Sequence, residues 1–134
     1  MQETLIDTDI LSYYLKGNEK VITKVIEYLK EYPTLNISSI TYFEILGGLE
    51  YKKATRQIKE FENFSSNCRI FNMDQESIRL SAKEYGRLRR KGITIGNSDL
   101  LIAGIALKNK FVLITNNTNH FKQIKGIKVK NWNE

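Results

Sequence analysis

Residues 99–117 read DLLIAGIALKNKFVLITNN. The first part, 99–107, is apolar almost all the way round, the pattern of a helix buried on every side. Phe111 to Thr115 then forms the best strand in the chain, and it ends on the polar run Thr115-Asn116-Asn117. A buried helix feeding a buried strand is a building unit of α/β proteins.

Working outward from this unit, the same alternation recurs. Upstream, Asp74 caps a long helix with Ile78, Ala82, Tyr85 and Leu88 expected on one face. Its last turn is Arg89-Arg90-Lys91 before Gly92, which suits both the helix dipole and a glycine C-cap. Arg69 to Asn72 reads as a short strand, Thr55 to Phe64 as a basic amphipathic helix, and Thr41 to about Tyr51 as another helix. Residues 35–38 read as a strand. Glu19 to Tyr32 places Ile22, Val25, Ile26 and Leu29 at helical spacing, with Asn18 as cap and Pro33 as stop. A first helix over Asp9 to Leu15 follows a short buried strand at 4–6 that ends at Asp7, and a weak strand at Ile127 to Lys130 closes the chain. Strands separated by helices imply a parallel sheet covered on both faces. Residues 1–134 are expected to form one α/β domain, without repeats or a linker.

Composition narrows the chemistry. The single Cys68 cannot form an internal disulfide, and with His120 the only histidine, a zinc site is not expected; any metal would be held by oxygens. The opening MQETLIDTDIL lacks the basic start and apolar run of a signal peptide, and no stretch is long enough to cross a bilayer, so a soluble cytoplasmic protein is expected. Lys and Arg number 21 against 15 acids, a net charge of +6. The bases cluster at Lys52, Lys53, Arg56 and Lys59, at Arg87, Arg89, Arg90 and Lys91, and along the tail at Lys122, Lys125, Lys128 and Lys130. Such a surface attracts RNA or DNA, although a basic surface can also simply be solvated.

Acids recur where an open α/β sheet places its ligands, beyond the carboxyl ends of strands. Asp7 follows the first strand with Asp9 two residues later, Glu44 lies one turn into the helix after the second strand, Asp99 opens the buried helix, and Asn117 follows the best strand. Each has a structural alternative. Thr41 to Glu44 fits a capping box, Asp99 suits a helix dipole, Asp7 could cap the first helix, and Asn116-Asn117 could be turn residues. Together they mean converging carboxylates, and two of these about 5 Å apart repel by roughly 3 kcal/mol at an effective dielectric near 20. Mg²⁺ or Mn²⁺ is the natural occupant of an all-oxygen site, and an acidic metal pocket on a basic surface suits a phosphodiester.

At these residues the chain resembles a known family. LIDTDILSYYL looks like the opening motif of PIN domains, SSITYFEILGGL is similar to their second, and IGNSDLLIAGIAL and LITNNTNHF resemble the third and fourth in order and spacing. IKVKNWNE is similar to the tails of VapC-type toxins. The resemblance implies a three-layer α/β/α sandwich with a central parallel sheet, and a metal-dependent ribonuclease using Mg²⁺ or Mn²⁺. Its metal ligands would be Asp7, Glu44 and Asp99. The family's fourth position falls at Asn117, where many members carry Asp, and Asn119-His120 stands where an acid is often seen; both departures weaken a second metal site. Thr8 and Thr115 would be pocket hydroxyls, and Asp9, where many relatives have Asn, would restore some negative charge. Lys52, Lys53 and Arg56, with Arg87, Arg89 and Arg90, would grip RNA or an acidic antitoxin segment. The implied partners are an RNA substrate, a cognate VapB-type antitoxin and a second copy of the chain. The alternative within the family is a catalytically weak or inactive domain acting by binding RNA or antitoxin. A receiver-like domain fits less well, because the third acid opens a helix and no Lys follows Thr115 in the required place. His120 reads as a surface or capping residue, Cys68 as a small core residue, Trp132 as a packing anchor, and Tyr13 and Tyr14 as candidates for a dimer surface.

Overall fold

The structure, a computed structural model, describes all 134 residues. Its elements are β1 (Thr4–Ile6), α1 (Thr8–Leu15), α2 (Glu19–Leu29), β2 (Asn36–Ser38), α3 (Ser39–Tyr51), α4 (Thr55–Ser65), β3 (Arg69–Phe71), α5 (Gln75–Arg90), α6 (Asn97–Asn109), β4 (Val112–Ile114), α7 (Thr118–Phe121) and β5 (Lys128–Lys130). All strand pairs are parallel, in the order β3-β2-β1-β4-β5. Because side chains alternate across a strand, Leu5 and Leu113 point into one core with α6, while Ile6, Val112 and Ile114 point into the other with α1 and α2. The result is a three-layer α/β/α sandwich. The chain leaves β1 in one direction to β2 and β3, then returns to place β4 on β1's other side. The crevice of this switch point opens beyond the carboxyl ends of β1 and β4, where Asp7 and Thr115 stand.

Local chemistry fixes most boundaries. Asn18 caps α2 by accepting from the Val21 N–H, and Asp74 and Ser77 cap α5 reciprocally. Gly92, with φ +74°, follows the end of α5. Helix α2 stops at Leu29 rather than Tyr32, because a residue before proline is pushed out of the helical region. Tyr32 stacks instead on Tyr28 at 4.7 Å.

Two helix readings are corrected. Helix α3 is capped by Ser38, whose hydroxyl accepts from the Thr41 N–H, so Thr41 lies inside the helix and Thr41–Glu44 is no capping box. On α5 the buried residues are Ser77, Ser81, Glu84 and Leu88, while Ile78, Ala82 and Tyr85 are exposed. Helix α6 comes so near that only small side chains fit between. Ser81 donates to the Leu100 carbonyl at 2.7 Å, and a Cβ at Gly104 would overlap Ser81 Oγ and the Ser77 carbonyl oxygen.

Trp132 is buried, its ring 5.7 Å from Tyr28. Tyr13 and Tyr14 are half-buried and pack against the core. The most exposed aromatics are Phe43 and Tyr51 of α3, at 72% and 89%. No helix is long and apolar enough to cross a membrane.

Candidate functional site

An open cleft of about 650 Å³ lies at the switch point and is lined by Asp7, Asp9, Glu44, Asp99 and Asn117. Four elements deliver these side chains. Asp7 follows β1 and caps α1: its N–H donates to the Ile114 carbonyl, Oδ1 accepts from the Thr8 N–H at 2.9 Å, and Oδ2 accepts from the Thr115 hydroxyl at 2.8 Å. The capping reading of Asp7 therefore holds, and it is the cap geometry that places the carboxylate in the cleft. Asp9 accepts from the Ile10 N–H at 2.7 Å and from the Asn116 N–H at 3.1 Å, tying α1 to the segment after β4.

Glu44 is free of the helix-start role. Its Oε1 accepts from the Thr8 hydroxyl at 2.7 Å, and Thr8 in turn contacts the Thr41 hydroxyl at 2.9 Å. The order Thr41–Thr8–Glu44 gives each hydroxyl one donor role and fixes Glu44 beside α1. Asp99 lies in the first turn of α6 and meets His120 Nε2 at 3.3 Å. His120 is thus turned toward the site, not away from it as a surface or capping residue. Asn117 lines the cleft, its N–H held by Thr115 Oγ1 at 3.1 Å, whereas Asn116 turns its side chain to Asn131 and Asn133 of the C-terminal tail.

The electrostatics of the cleft are set by burial and by the mutual repulsion of its carboxylates. Burial, together with the charges of Asp9 and Asp99, pushes the Asp7 carboxyl up to about 7 against the hydrogen bonds from Thr115 and Thr8. Burial also raises Asp9, opposed by the N–H donors of Ile10 and Asn116. Glu44 Oε2 and Asp99 Oδ1 take no donor from the protein. An all-oxygen set of this kind suits a hard divalent cation. Convergence is looser than the sequence suggests, however: no three His, Cys, Asp or Glu side chains already stand as a ready cage.

Of the basic clusters, only Lys52 lines the cleft. Lys53 and Arg56 are exposed nearby, with Arg56 paired to Glu60 at 3.0 Å. Arg87 departs from the expected RNA-gripping role. Its guanidinium is spent on the Glu84 carboxylate, at 2.9 and 2.7 Å, and on the Gln123 carbonyl at 2.8 Å. Arg89 lies over the Tyr85 ring and Arg90 is exposed. Sequence reasoning missed Ser12 and Lys16, which line the cleft with Asp9. The spacing 9, 12, 16 is one face of a helix, so the signal was present.

Comparison with known proteins gives the family and the fold. Residues 4–127 match the family described as PIN domain. The chain is 34% identical to "Ribonuclease VapC2" of Rickettsia felis, covering 97% of this chain and 98% of that protein. It is 30% identical to "tRNA(fMet)-specific endonuclease VapC" of Salmonella typhimurium, covering 98% and 99%. Among solved structures, the fold is similar to a chain of VapBC2 from Rickettsia felis bound to a DNA fragment from its promoter, with a TM-score of 0.87 at 29% identity over 96% of this chain and 98% of that one. A chain of DNA-bound VapBC from Salmonella typhimurium gives 0.88 at 28% identity, covering 98% and 99%. With a family match over nearly its whole length and full-length relatives at this identity, the chain belongs to the PIN-domain family.

Proposed function

We propose that the protein is a metal-dependent endoribonuclease that hydrolyses RNA phosphodiester bonds, and the toxin half of a toxin–antitoxin pair. The observation that carries the reading is the cleft in which Asp7, Asp9, Glu44 and Asp99 are held together on a chain of net charge +6. Asp7, Glu44 and Asp99 would hold Mg²⁺ or Mn²⁺, with water completing the coordination because no full protein cage is formed. Such a cation supplies charge against the phosphate and acidifies water at neutral pH.

The chain's own residues do the positioning. Thr8 and Thr115 hold one oxygen each of Glu44 and Asp7, so that these carboxylates keep a fixed orientation. Asn117 offers a neutral amide where a further acid would add charge, which favours one tightly held cation over two. Lys16 and Lys52 on the rim oppose the charge of an incoming phosphate. In the reaction, a water oxygen bonds to phosphorus as that water gives up a proton, the bond to the leaving ribose oxygen breaks, and the leaving oxygen takes up a proton, so that none is gained or lost overall.

A VapB-type antitoxin is the proposed protein partner, supported by similarity to chains solved as VapBC complexes. Self-association is proposed through α3, where Phe43, Gly47 and Tyr51 share one stripe; nothing in the chain packs within 4 Å of a Cβ placed at Gly47. The test of activity is cleavage of structured RNA by antitoxin-free protein with Mn²⁺, Mg²⁺ or EDTA, beside Asp99→Asn. Cleavage lost in EDTA and in Asp99→Asn is expected. RNA binding with no cleavage under either metal would support the binding-only reading that Asn117 favours.

A further inference from the structure

A second open groove, of about 380 Å³, lies on the other side of α7 from the catalytic cleft. Its lining includes Thr4 of β1 with Val112 and Ile114 of β4, and it is bordered by Lys24 of α2, Lys122 of α7 and Lys130 of β5. Lys128, exposed and two residues before Lys130, falls on the same face of β5. Glu134 is the one acid of the lining. Lys24 approaches Glu27 at 3.9 Å, whereas Lys122 and Lys130 have no carboxylate partner. The Thr4 hydroxyl is buried with no hydrogen-bond partner, and Thr118 and Asn131 add neutral polar groups.

The two cavities share a wall. On α7, Asn117 and Phe121 line the catalytic cleft, and Thr118 and Lys122, each one residue further on, line the groove. A strand leaving the cleft therefore reaches the lysines by crossing one helix, a span of about 10 Å. The only aromatic residue of the lining, Trp132, is 4% exposed and offers no ring for stacking a base. Unpaired lysines without a stacking platform recognise backbone phosphate rather than base identity.

We infer that this groove is an exosite for the phosphodiester backbone of the RNA whose scissile bond sits in the acidic cleft, an inference that rests on the nuclease reading for the direction of the strand but not for binding itself. Lys122 and Lys130 carry the contact. It adds affinity for long substrates without touching the chemistry, and it is blind to sequence.

The test compares Lys122→Gln/Lys130→Gln with Arg79→Gln/Lys83→Gln, which removes the same charge from the exposed face of α5. Binding of a fluorescein-labelled RNA stem–loop is titrated against salt in EDTA, where no cleavage occurs. Each lost phosphate contact should flatten the slope of log K against log salt by about 0.7 to 0.9, so the groove variant should lose about 1.5 and the control should not. With Mn²⁺, KM for the stem–loop should rise several-fold at unchanged kcat, and a short oligonucleotide confined to the cleft should be cleaved as before. Equal slopes for the two variants would overturn the exosite. Unchanged RNA binding alongside weakened binding of a poly-glutamate peptide would assign the groove to an acidic protein segment instead. Failure of the nuclease reading would appear differently, as wild-type protein that cleaves nothing with either metal while the slopes still diverge.

Discussion

Asp7 carries two demands that oppose each other. Its carboxylate caps α1 and latches Thr115, yet burial and the neighbouring Asp9 and Asp99 push its proton affinity up, from 3.8 to about 7. Because the folded value lies above the unfolded one, its contribution to stability is present below about pH 4 and is lost as pH rises through about 7. A shift of this size corresponds to something on the order of 4 kcal/mol. The cation-free protein should therefore melt at progressively lower temperature from pH 5 to pH 8, and added Mn²⁺ should reverse the loss at pH 8. Asp7→Asn should abolish cleavage while raising the melting temperature of cation-free protein at pH 8; a lower melting temperature than wild type would refute the account. His120 belongs to the same scale. As the partner of Asp99, it should hold that carboxylate for the cation, so His120→Ala should weaken Mn²⁺ binding by about 10- to 100-fold in calorimetry. Unchanged affinity would reduce His120 to packing against Phe121. The acids themselves were legible because each follows a strand, opens a helix or, like Glu44, lies a turn inside one that follows a strand, whereas His120 was not, since a lone histidine gives no spacing to read.

Between α5 and α6 the packing is set by what is missing. Gly104 faces Ser77 and Ser81 with no room for a methyl group, so Gly104→Ala should cost about 1–3 kcal/mol, measured by denaturant titration. Glu84 ties α5 to the segment between α7 and β5. It accepts from Arg87 and from the Lys125 N–H at 2.6 Å, and Arg87 chiefly holds its carboxyl below the usual range. That contribution is present above the ordinary carboxylate value and is lost as pH falls below it. Glu84→Gln should therefore destabilise the protein at neutral pH, and the difference from wild type should shrink toward pH 3. These contacts explain where sequence reading failed. Apolar periodicity pointed to Ile78, Ala82 and Tyr85, but the buried face of α5 is polar because serine permits an approach that isoleucine would block. In α3 the true cap, Ser38, ends a strand and starts a helix at once, so Thr41 was the more obvious but wrong choice. By contrast 99–107 and 111–115 needed no tertiary information, since a run that is apolar all round has only the interior to occupy.

At the scale of the whole molecule, the order β3-β2-β1-β4-β5 places the earliest strand at the centre of the sheet. The alternation of helices and strands made a parallel sheet readable, but strand order depends on which edges meet in space, and local sequence does not encode that. Outside the sheet, Phe43 and Tyr51 give the molecule its most exposed aromatic surface. If two copies meet there, Phe43→Ser/Tyr51→Glu should sediment as a monomer where wild type sediments as a dimer, with the melting temperature little changed. Equal sedimentation of the two would remove α3 from the interface. The central place of β1 also bears on how such a protein is made. During translation Asp7 precedes its partners by more than a hundred residues: β1 gains its second neighbour only with Val112–Ile114, and Asp7 gains its latch only with Thr115. At 5–20 residues per second the ribosome needs roughly 6–22 s to pass from Asp7 to Asn117. Throughout that interval the strand and hydroxyl that complete the surroundings of Asp7 do not yet exist, so the cleft is finished only when nearly the whole of this domain has been made.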